Sequence, residues 1–521
     1  MLESDRRRGN NLGYWAYSAS VRFPDQPVIL DWADGRQRTL THAQLEARLD
    51  IVASTLSKSV GLGERIAIGI GNRAEFVEAC FGAMRAGLVP VPLNLRQGRT
   101  HIAHTLKDSG CVAAIVELST NAHLQELIEK SGIGLCVAVD QVPPGWHDYT
   151  QFFNESAAPF APPLLPPNHP AMQPYTSGST GTPKGVVLTH EGQMWWINTY
   201  LSLYNPTPEE RSLVAVPLYH KNAMAGVVKA KLPGGACMVL MPEYNPRQFL
   251  INLSQFRCTH ATGVPTIYTL AMRETDLMET LDFSALRSLT VGSAPVHNEV
   301  RRGMEQSFKC PVIESYGLTE GGPVMFGPPT DKHPVPSGSC GVLWPGCHAK
   351  LVTASGETAQ KGELWVRNPG LMTGYHNLSA LTASRMRDGW LMTGDLFEVD
   401  ADGFWYFCGR TDDMFVSGGE NIFPKEVEDL LLTHPVVLEA CVVPAEHSAK
   451  GEAPVALVVA SPNRTVDEAG LKEFCIQHGP AYAHPRRIIF TDVLPLNGAG
   501  KVDRGRVAKE LRNVLSAAPL A

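Results

Sequence analysis

Tyr175-Thr-Ser-Gly-Ser-Thr-Gly-Thr-Pro-Lys-Gly185 concentrates hydroxyls, three glycines and one lysine in a single short run. That is the chemistry of a polyphosphate cradle. Glycines let the backbone approach oxyanions closely and adopt positive φ. Successive N–H groups then form an anion-binding nest, to which hydroxyls and Lys184 add donors and charge. The apolar run Gly185-Val-Val-Leu-Thr189 predicts that the loop leads into a strand. The P-loop pattern G-x-x-x-x-G-K-[ST] does not fit. Pro183 precedes the lysine where glycine is needed, and Gly185 follows where a Mg²⁺-binding hydroxyl is needed. A plain Ser/Gly-rich turn has the same composition, so the loop alone favours a nucleotide site only modestly.

A chain of 521 residues exceeds one ordinary core and implies several domains or subdomains. With 44% hydrophobic and 19% charged residues it reads as globular. The formal charge of -7 argues against a nucleic-acid or anionic-membrane surface. The 11 cysteines contain no C-x-x-C pair, which predicts free, mostly buried thiols in a reducing compartment. Arg6-Arg-Arg8 runs into Gly-Asn-Asn-Leu rather than an apolar segment, unlike a secretory signal. No apolar run has transmembrane length, so the expected localisation is cytoplasmic.

Outward from the loop, the chain alternates strand-like and helix-like runs. Val28–Trp32, Arg65–Ile70, Val89–Leu93, Val112–Val116 and Leu135–Val139 read as strands, and Asn72–Ala86 as a helix. Thr41 and Gln44 have capping-box spacing, so a second helix is expected to start there. Such alternation predicts parallel α/β architecture. The proline-rich stretch 158–170 reads as a stiff linker. Val214–Leu218, Cys237–Met241 and Ser288–Val291 predict a second α/β region. After about residue 335, Gly362–Arg367 and Gly403–Phe407 lie between Gly, Pro and Asp turns, as in a small antiparallel, barrel-like subdomain. Beyond Arg410, a helix at Pro424–Leu432 and strands at Leu438–Val443 and Val455–Val459 predict a separate α+β unit.

Further motifs follow the loop: Gly292-Ser-Ala-Pro295, Tyr316-Gly-Leu-Thr-Glu320, Trp390-Leu-Met-Thr-Gly-Asp395, Gly409-Arg-Thr-Asp-Asp413 with Ser417-Gly-Gly-Glu-Asn421, and Pro495-Leu-Asn-Gly-Ala-Gly-Lys501. Together, in this order, they resemble the signature of the adenylate-forming enzymes, which include acyl-CoA synthetases, luciferases and peptide-synthetase adenylation domains. The resemblance covers nearly the whole chain. It implies an N-terminal AMP-binding domain over 1–409 and a mobile lid over 410–521. It also implies an AMP-forming acid–thiol ligase that uses ATP, Mg²⁺ and CoA on an aromatic or medium-chain carboxylic acid. Three other functions share the motifs: a free-standing adenylation enzyme that loads a carrier protein, a luciferase-like oxygenase, and an inactive binding protein. No carrier-like segment follows Lys501, and no motif position is lost.

The chemistry explains the residue types. A carboxylate acylates poorly because its leaving group would be oxide, whereas an acyl-adenylate leaves AMP. Joining two anions needs charge neutralisation and positioning above all. By resemblance Lys501 bridges the carboxylate and the α-phosphate. Its segment also resembles acetylation sites of bacterial acyl-CoA synthetases, so a lysine acetyltransferase is an implied partner. Thr176 and Glu320 match the Mg²⁺-holding positions, suitable as hard oxygen ligands. Thr319 matches an α-phosphate contact, and Thr176, Ser177, Gly178, Ser179, Thr180, Gly181 and Lys184 form the phosphate loop. Asp395 and Arg410 match ribose contacts, while Gly292, Ser293, Ala294 and Tyr316 match the adenine wall. Asp412 matches the hinge, and Gly418 and Gly419 match the tunnel for the CoA arm. His220, Lys221, Asn222, Gly317 and Gly322 are expected around the acyl group. Lys221 departs from the family's apolar continuation and either meets a polar group at the substrate's far end or points to solvent. Trp195 and Trp196 are further pocket candidates, with core packing expected for at least one.

Overall fold

The computed structural model describes residues 9–33, 35–153, 160–177, 182–292, 296, 298–322, 324–330, 334–447, 450–461, 466–497 and 501–517. The helix His42–Ser57 starts on the expected capping box, with Thr41 accepting from the Gln44 amide and Gln44 reaching back to the Thr41 amide. The helix Ala74–Arg85 is buried along its whole length. Its charged residues are therefore paired: Glu75 with Arg38 and Arg73, Glu78 with Arg48, and Arg85 with Glu46 and Asp50. Burial opposes ionisation of Glu75, but the two guanidiniums prevail and hold its pKa at about 2.

Two sheets form the body of the large region, one parallel and one parallel but for the antiparallel edge strand Arg36–Thr41. The first has five strands, in the order Val89–Pro92, Arg65–Gly69, Ala113–Val116, Leu135–Ala138 and His147–Asp148. The second runs Val312–Glu314, Ser288–Val291, His260–Gly263, Arg211–Val214, Cys237–Leu240, Pro27–Ala33 and Arg36–Thr41. The strand at Pro27–Ala33 thus belongs to the second sheet, pairing antiparallel with Arg36–Thr41 on one side and matching Ile29 to Met238 on the other, and not to the sheet of Arg65–Gly69. The predicted strand Val214–Leu218 lies three residues too late. The ladder occupies Arg211–Val214, and the chain then leaves the sheet toward His220.

The run Tyr175–Gly185 contributes residues to both strands of a hairpin. Tyr175–Ser177 pairs antiparallel with Pro183–Thr189, which also pairs with Gly374–Tyr375. The antiparallel subdomain is centred on Trp390–Val399, flanked by Lys361–Arg367 on one side and by Met386–Arg387 and Trp405–Arg410 on the other. The main core runs from Leu12 to Trp405, with a smaller separate core on one face of the first sheet. The C-terminal part has its own sheet, with Val437–His447 and Gly451–Ala460 at its centre, and a separate core on each face. Its first buried core residue is Phe415. All 11 cysteines are free and eight of them are buried. Among the described residues no helix is long and apolar enough to cross a membrane.

Candidate active site

A cavity of ≈ 1810 Å³ lies between the large region and the C-terminal part and is lined by both. The hairpin and the Tyr316–Glu320 segment meet at its wall. Thr176 Oγ1 donates to Glu320 Oε1 at 3.2 Å, and the Tyr375 hydroxyl donates to the same oxygen at 3.2 Å. Lys184, Gly317 and Thr319 also line the cavity. Ser177 continues the hairpin, opposite Pro183.

Opposite this cluster stands Asp395, on the central antiparallel strand. The Tyr316 hydroxyl donates to its Oδ2, and Arg410 Nη1 lies 2.9 Å from its Oδ1. Asp395 is nearly buried, and burial raises its pKa above the usual carboxylate value despite Arg410. The strand register Asp395↔Arg410 explains the pair: two adjacent strands present acid and base at opposed positions. The next residues form a short turn, Thr411–Asp413, in which Asp412 is 3.6 Å from Arg410 and 3.4 Å from Arg385.

Lys501 comes from the C-terminal part. It sits on a turn closed by the Asn497 amide donating to the Lys501 carbonyl at 2.7 Å. Its side chain keeps contact with solvent inside the cleft, yet the surrounding protein lowers its pKa. Asp395 and Glu320 pull that pKa back up, and Arg410 pushes it down. Lys501 of the C-terminal part thus shares one cavity with Asp395 and Glu320 of the large region and feels both carboxylates.

Several expected residues separate here. Gly178, Ser179, Thr180, Gly181, Ser293 and Ala294 lie outside the described residues. Gly292 follows the strand Ser288–Val291, with the Asn222 amide nearby. Gly418 and Gly419 form the turn between Phe415–Ser417 and Glu420–Ile422, at φ +59 and +90, and do not line the cavity. Gly322 is not a pocket wall either. It has φ +82, and a Cβ there would meet the Gly370 carbonyl at 2.2 Å, so packing of two loops requires it. Trp196 is a core residue, with its indole N–H donating to the Val324 carbonyl at 3.0 Å, and Trp195 packs against Gly346.

His220, Lys221 and Asn222 do line the cavity. Asn222 is also a brace, accepting from Thr262 and donating to the Gly263 carbonyl at 3.2 Å. Lys221 lines the cleft, where its charge neighbours are Lys501, Glu320, Asp395 and Lys229. Burial, then Lys501, lowers its pKa to about 7. Sequence reasoning missed Tyr375, Arg385 and Lys229. The first two reach the cleft from strand and helix ends far along the chain, with no local signal. Lys229 did leave one: it is eight residues, two helical turns, beyond Lys221.

Thr176 and Glu320 fit a hard divalent cation, since Mg²⁺ commonly takes one or two carboxylates and completes its shell with phosphate oxygens and water. Among the described residues no group of three or more His, Cys, Asp or Glu could hold a metal alone.

Comparison with known proteins gives the family. Residues 17–376 match the AMP-binding enzyme family, and 426–501 match the AMP-binding enzyme C-terminal domain. The chain is 33% identical to a feruloyl-CoA synthase of Amycolatopsis sp, covering 96% of this chain and 99% of that one. It is 30% identical to a sulfoacetate–CoA ligase of Cupriavidus necator, covering 93% and 95%. ATP-bound MatB from Rhodopseudomonas palustris superposes with a TM-score of 0.86 at 26% identity, covering 97% and 99%. The fold and site define a nucleotide-dependent acid-activating enzyme. The chain belongs to the AMP-binding enzyme family and, within it, to the AMP-forming, ATP-dependent acid–thiol ligases.

Proposed function

We propose that this protein is an acyl-CoA synthetase that joins an aromatic or medium-chain carboxylic acid to CoA through an acyl-adenylate. The observation that carries this reading is the position of Lys501, brought by the lid among Glu320 and Asp395 of the large region. The acid's carboxylate oxygen attacks the α-phosphorus of ATP, the bond to the β-phosphate breaks, and pyrophosphate departs. Lys501 neutralises the two anions that must meet. Thr319 and Lys184 supply donors along the phosphates, and Asp395 accepts from ribose hydroxyls while Arg410 holds it in place. Thr176 and Glu320 would hold Mg²⁺, which when bound offsets phosphate charge.

In the second half-reaction the CoA sulfur attacks the acyl carbon, its proton is lost, and AMP leaves. Lys501 has no task in that step. Asp412, between Arg410 and Arg385, is the pivot about which the lid turns, and Gly418 and Gly419 then line the thiol's path. Relatives named for feruloyl and sulfoacetate differ widely in their acids, so kinship alone does not select one. The test is acid-dependent ATP–pyrophosphate exchange over a panel of acids, followed by mass spectrometry after adding CoA or a carrier protein. Thioester on CoA is the expected product. Exchange that yields thioester only on a carrier protein would contradict the acceptor.

A further inference from the structure

One buried lysine lines the cleft without a role in adenylation. Lys229 ends the π-helical turn Met224–Lys229, in the helical run that begins at Lys221. Such turns interrupt the regular helix and recur at functional sites. Lys221, Ala225 and Lys229 are four residues apart and all line the cavity. One helix face therefore carries a cation, a small residue and a second cation. At about 1.5 Å rise per residue the two lysines stand at most roughly 12 Å apart along the helix. Lys229 is near enough that its charge is felt at Lys221. Lys501, Glu320 and Asp395 act on Lys221, whereas Lys229, two turns further along the helix, is shifted by burial alone, so Lys229 marks the end away from them.

Lys229 is 2% exposed. Its Nζ donates to Gln193 Oε1, and Gln193 is itself fully buried, with an Nε2 that has no partner among the described residues. Lys231, two positions on, provides the contrast. It is also buried, but it meets the Glu210 carboxylate at 3.2 Å and does not line the cavity. Where a buried lysine serves the fold, the chain supplies its counter-charge. Among the described residues none pairs a carboxylate with Lys229. A buried ammonium without a counter-charge is costly, and an apolar side chain of similar length would be cheaper. Burial lowers the Lys229 pKa to about 7, so an approaching acceptor oxygen readily restores its charge.

We propose that Lys229 is a specificity-determining residue that donates to an oxygen function on the far end of the acid. The substrate class is then a carboxylic acid with a second oxygen group, a hydroxyl or a carboxylate, remote from the reacting carboxylate. This rests on the adenylating function proposed above and names the substrate class within it. Ala225 leaves room for the body of the acid between the two lysines, and Gln193 positions the amine. The expectation that Lys221 meets the far end is replaced by this assignment.

The test is acid-dependent ATP–pyrophosphate exchange by the full chain with two matched pairs: 4-hydroxycinnamate against cinnamate, and adipate against hexanoate. Wild type is expected to favour the oxygen-bearing member of at least one pair by tenfold or more in kcat/KM. In Lys229→Met that ratio falls toward one, while the KM for ATP does not move. Lys229→Gln keeps a neutral donor, so it retains a preference for the hydroxyl and loses one for the carboxylate. If Lys229→Met does not fold, Lys229→Gln still reads the carboxylate pair and the hydroxyl pair. A wild-type ratio near one in both pairs, a ratio that survives in Lys229→Met, or no exchange with any of the four acids overturns the proposal. Exchange reads only the first half-reaction. Failure to form a CoA thioester would contradict the acceptor proposed above and leave these ratios readable.

Discussion

At the end of the cleft proposed for the nucleotide, the fold supplies hydrogen-bonding or charged partners for its own carboxylates. Asp395 meets Arg410 and the Tyr316 hydroxyl, Asp412 meets Arg385 and Arg410, and Glu320 accepts from Thr176 and Tyr375. At the acyl end, Lys229 has only a neutral amide for company. The nucleotide is the same in every turnover, so its contacts can be held ready by a stiff network. A group that waits for a variable partner is left short of one, at a cost in stability. On the function proposed, the contrast separates binding by preformed geometry from selection of the acid.

The comparison can be broken most severely at Lys501. In Lys501→Ala, overall acid-dependent AMP production is expected to fall by about 10²–10³-fold, the loss seen when one preorganised charge-stabilising donor is removed. Steady-state assay of AMP checks it. Next comes Asp395→Ala, which strips Arg410 of its strand-to-strand partner. Loss of a hydrogen bond to a charged group costs about 1.5–3 kcal/mol, or roughly ten- to a hundredfold in ATP affinity. Calorimetric titration with ATP measures it, and an unchanged affinity would show that the pair is structural only.

At the acyl end the expected effect is one of slope. Burial holds the Lys229 pKa at about 7 in the folded chain, against 10.5 ordinarily. Between those values the unfolded chain binds the extra proton, so this residue makes stability rise with pH from about 7 to about 10. Below about 7 the buried lysine is protonated and its full destabilisation is present. Lys229→Met should flatten the rise of Tm across that window, and thermal melts at pH 7 and pH 9.5 check the difference. The smallest effect is expected from Arg385→Ala. Its pair with Asp412 is partly exposed, worth about 0.2–1 kcal/mol. The variant should shift the ratio of thioester-forming to adenylating rates by no more than about fivefold, measurable in single-turnover assays.

How much of this was legible depended on whether a residue's role was local. The Thr41–Gln44 capping box, the helix at Pro424–Leu432 and the strand after the phosphate loop are set by neighbours in sequence, and the pattern was enough. The strand Pro27–Ala33 was readable as a strand but not as part of the second sheet, because the partner that ties it there, Cys237–Leu240, lies over 200 residues away. The motif residues Asp395, Arg410, Glu320 and Lys501 were nameable from their order along the chain, yet their pairing was not. Asp395 and Arg410 meet only through an antiparallel register that no short window encodes. Gly322 shows the opposite error. A glycine beside a motif invited a role in the pocket, whereas a close backbone approach by Gly370 explains it. Lys229 could be placed on the face of Lys221 by its spacing, but nothing in a lysine's identity says that it will be buried without a carboxylate.

The central claim is that the lid delivers Lys501 for the first half-reaction alone. Single-turnover kinetics of Lys501→Ala, started either from acid and ATP or from preformed acyl-adenylate and CoA, test it directly. The account predicts that adenylate formation collapses while thioester formation from the supplied adenylate proceeds near the wild-type rate. Equal slowing of both half-reactions, or no slowing of the first, would contradict it.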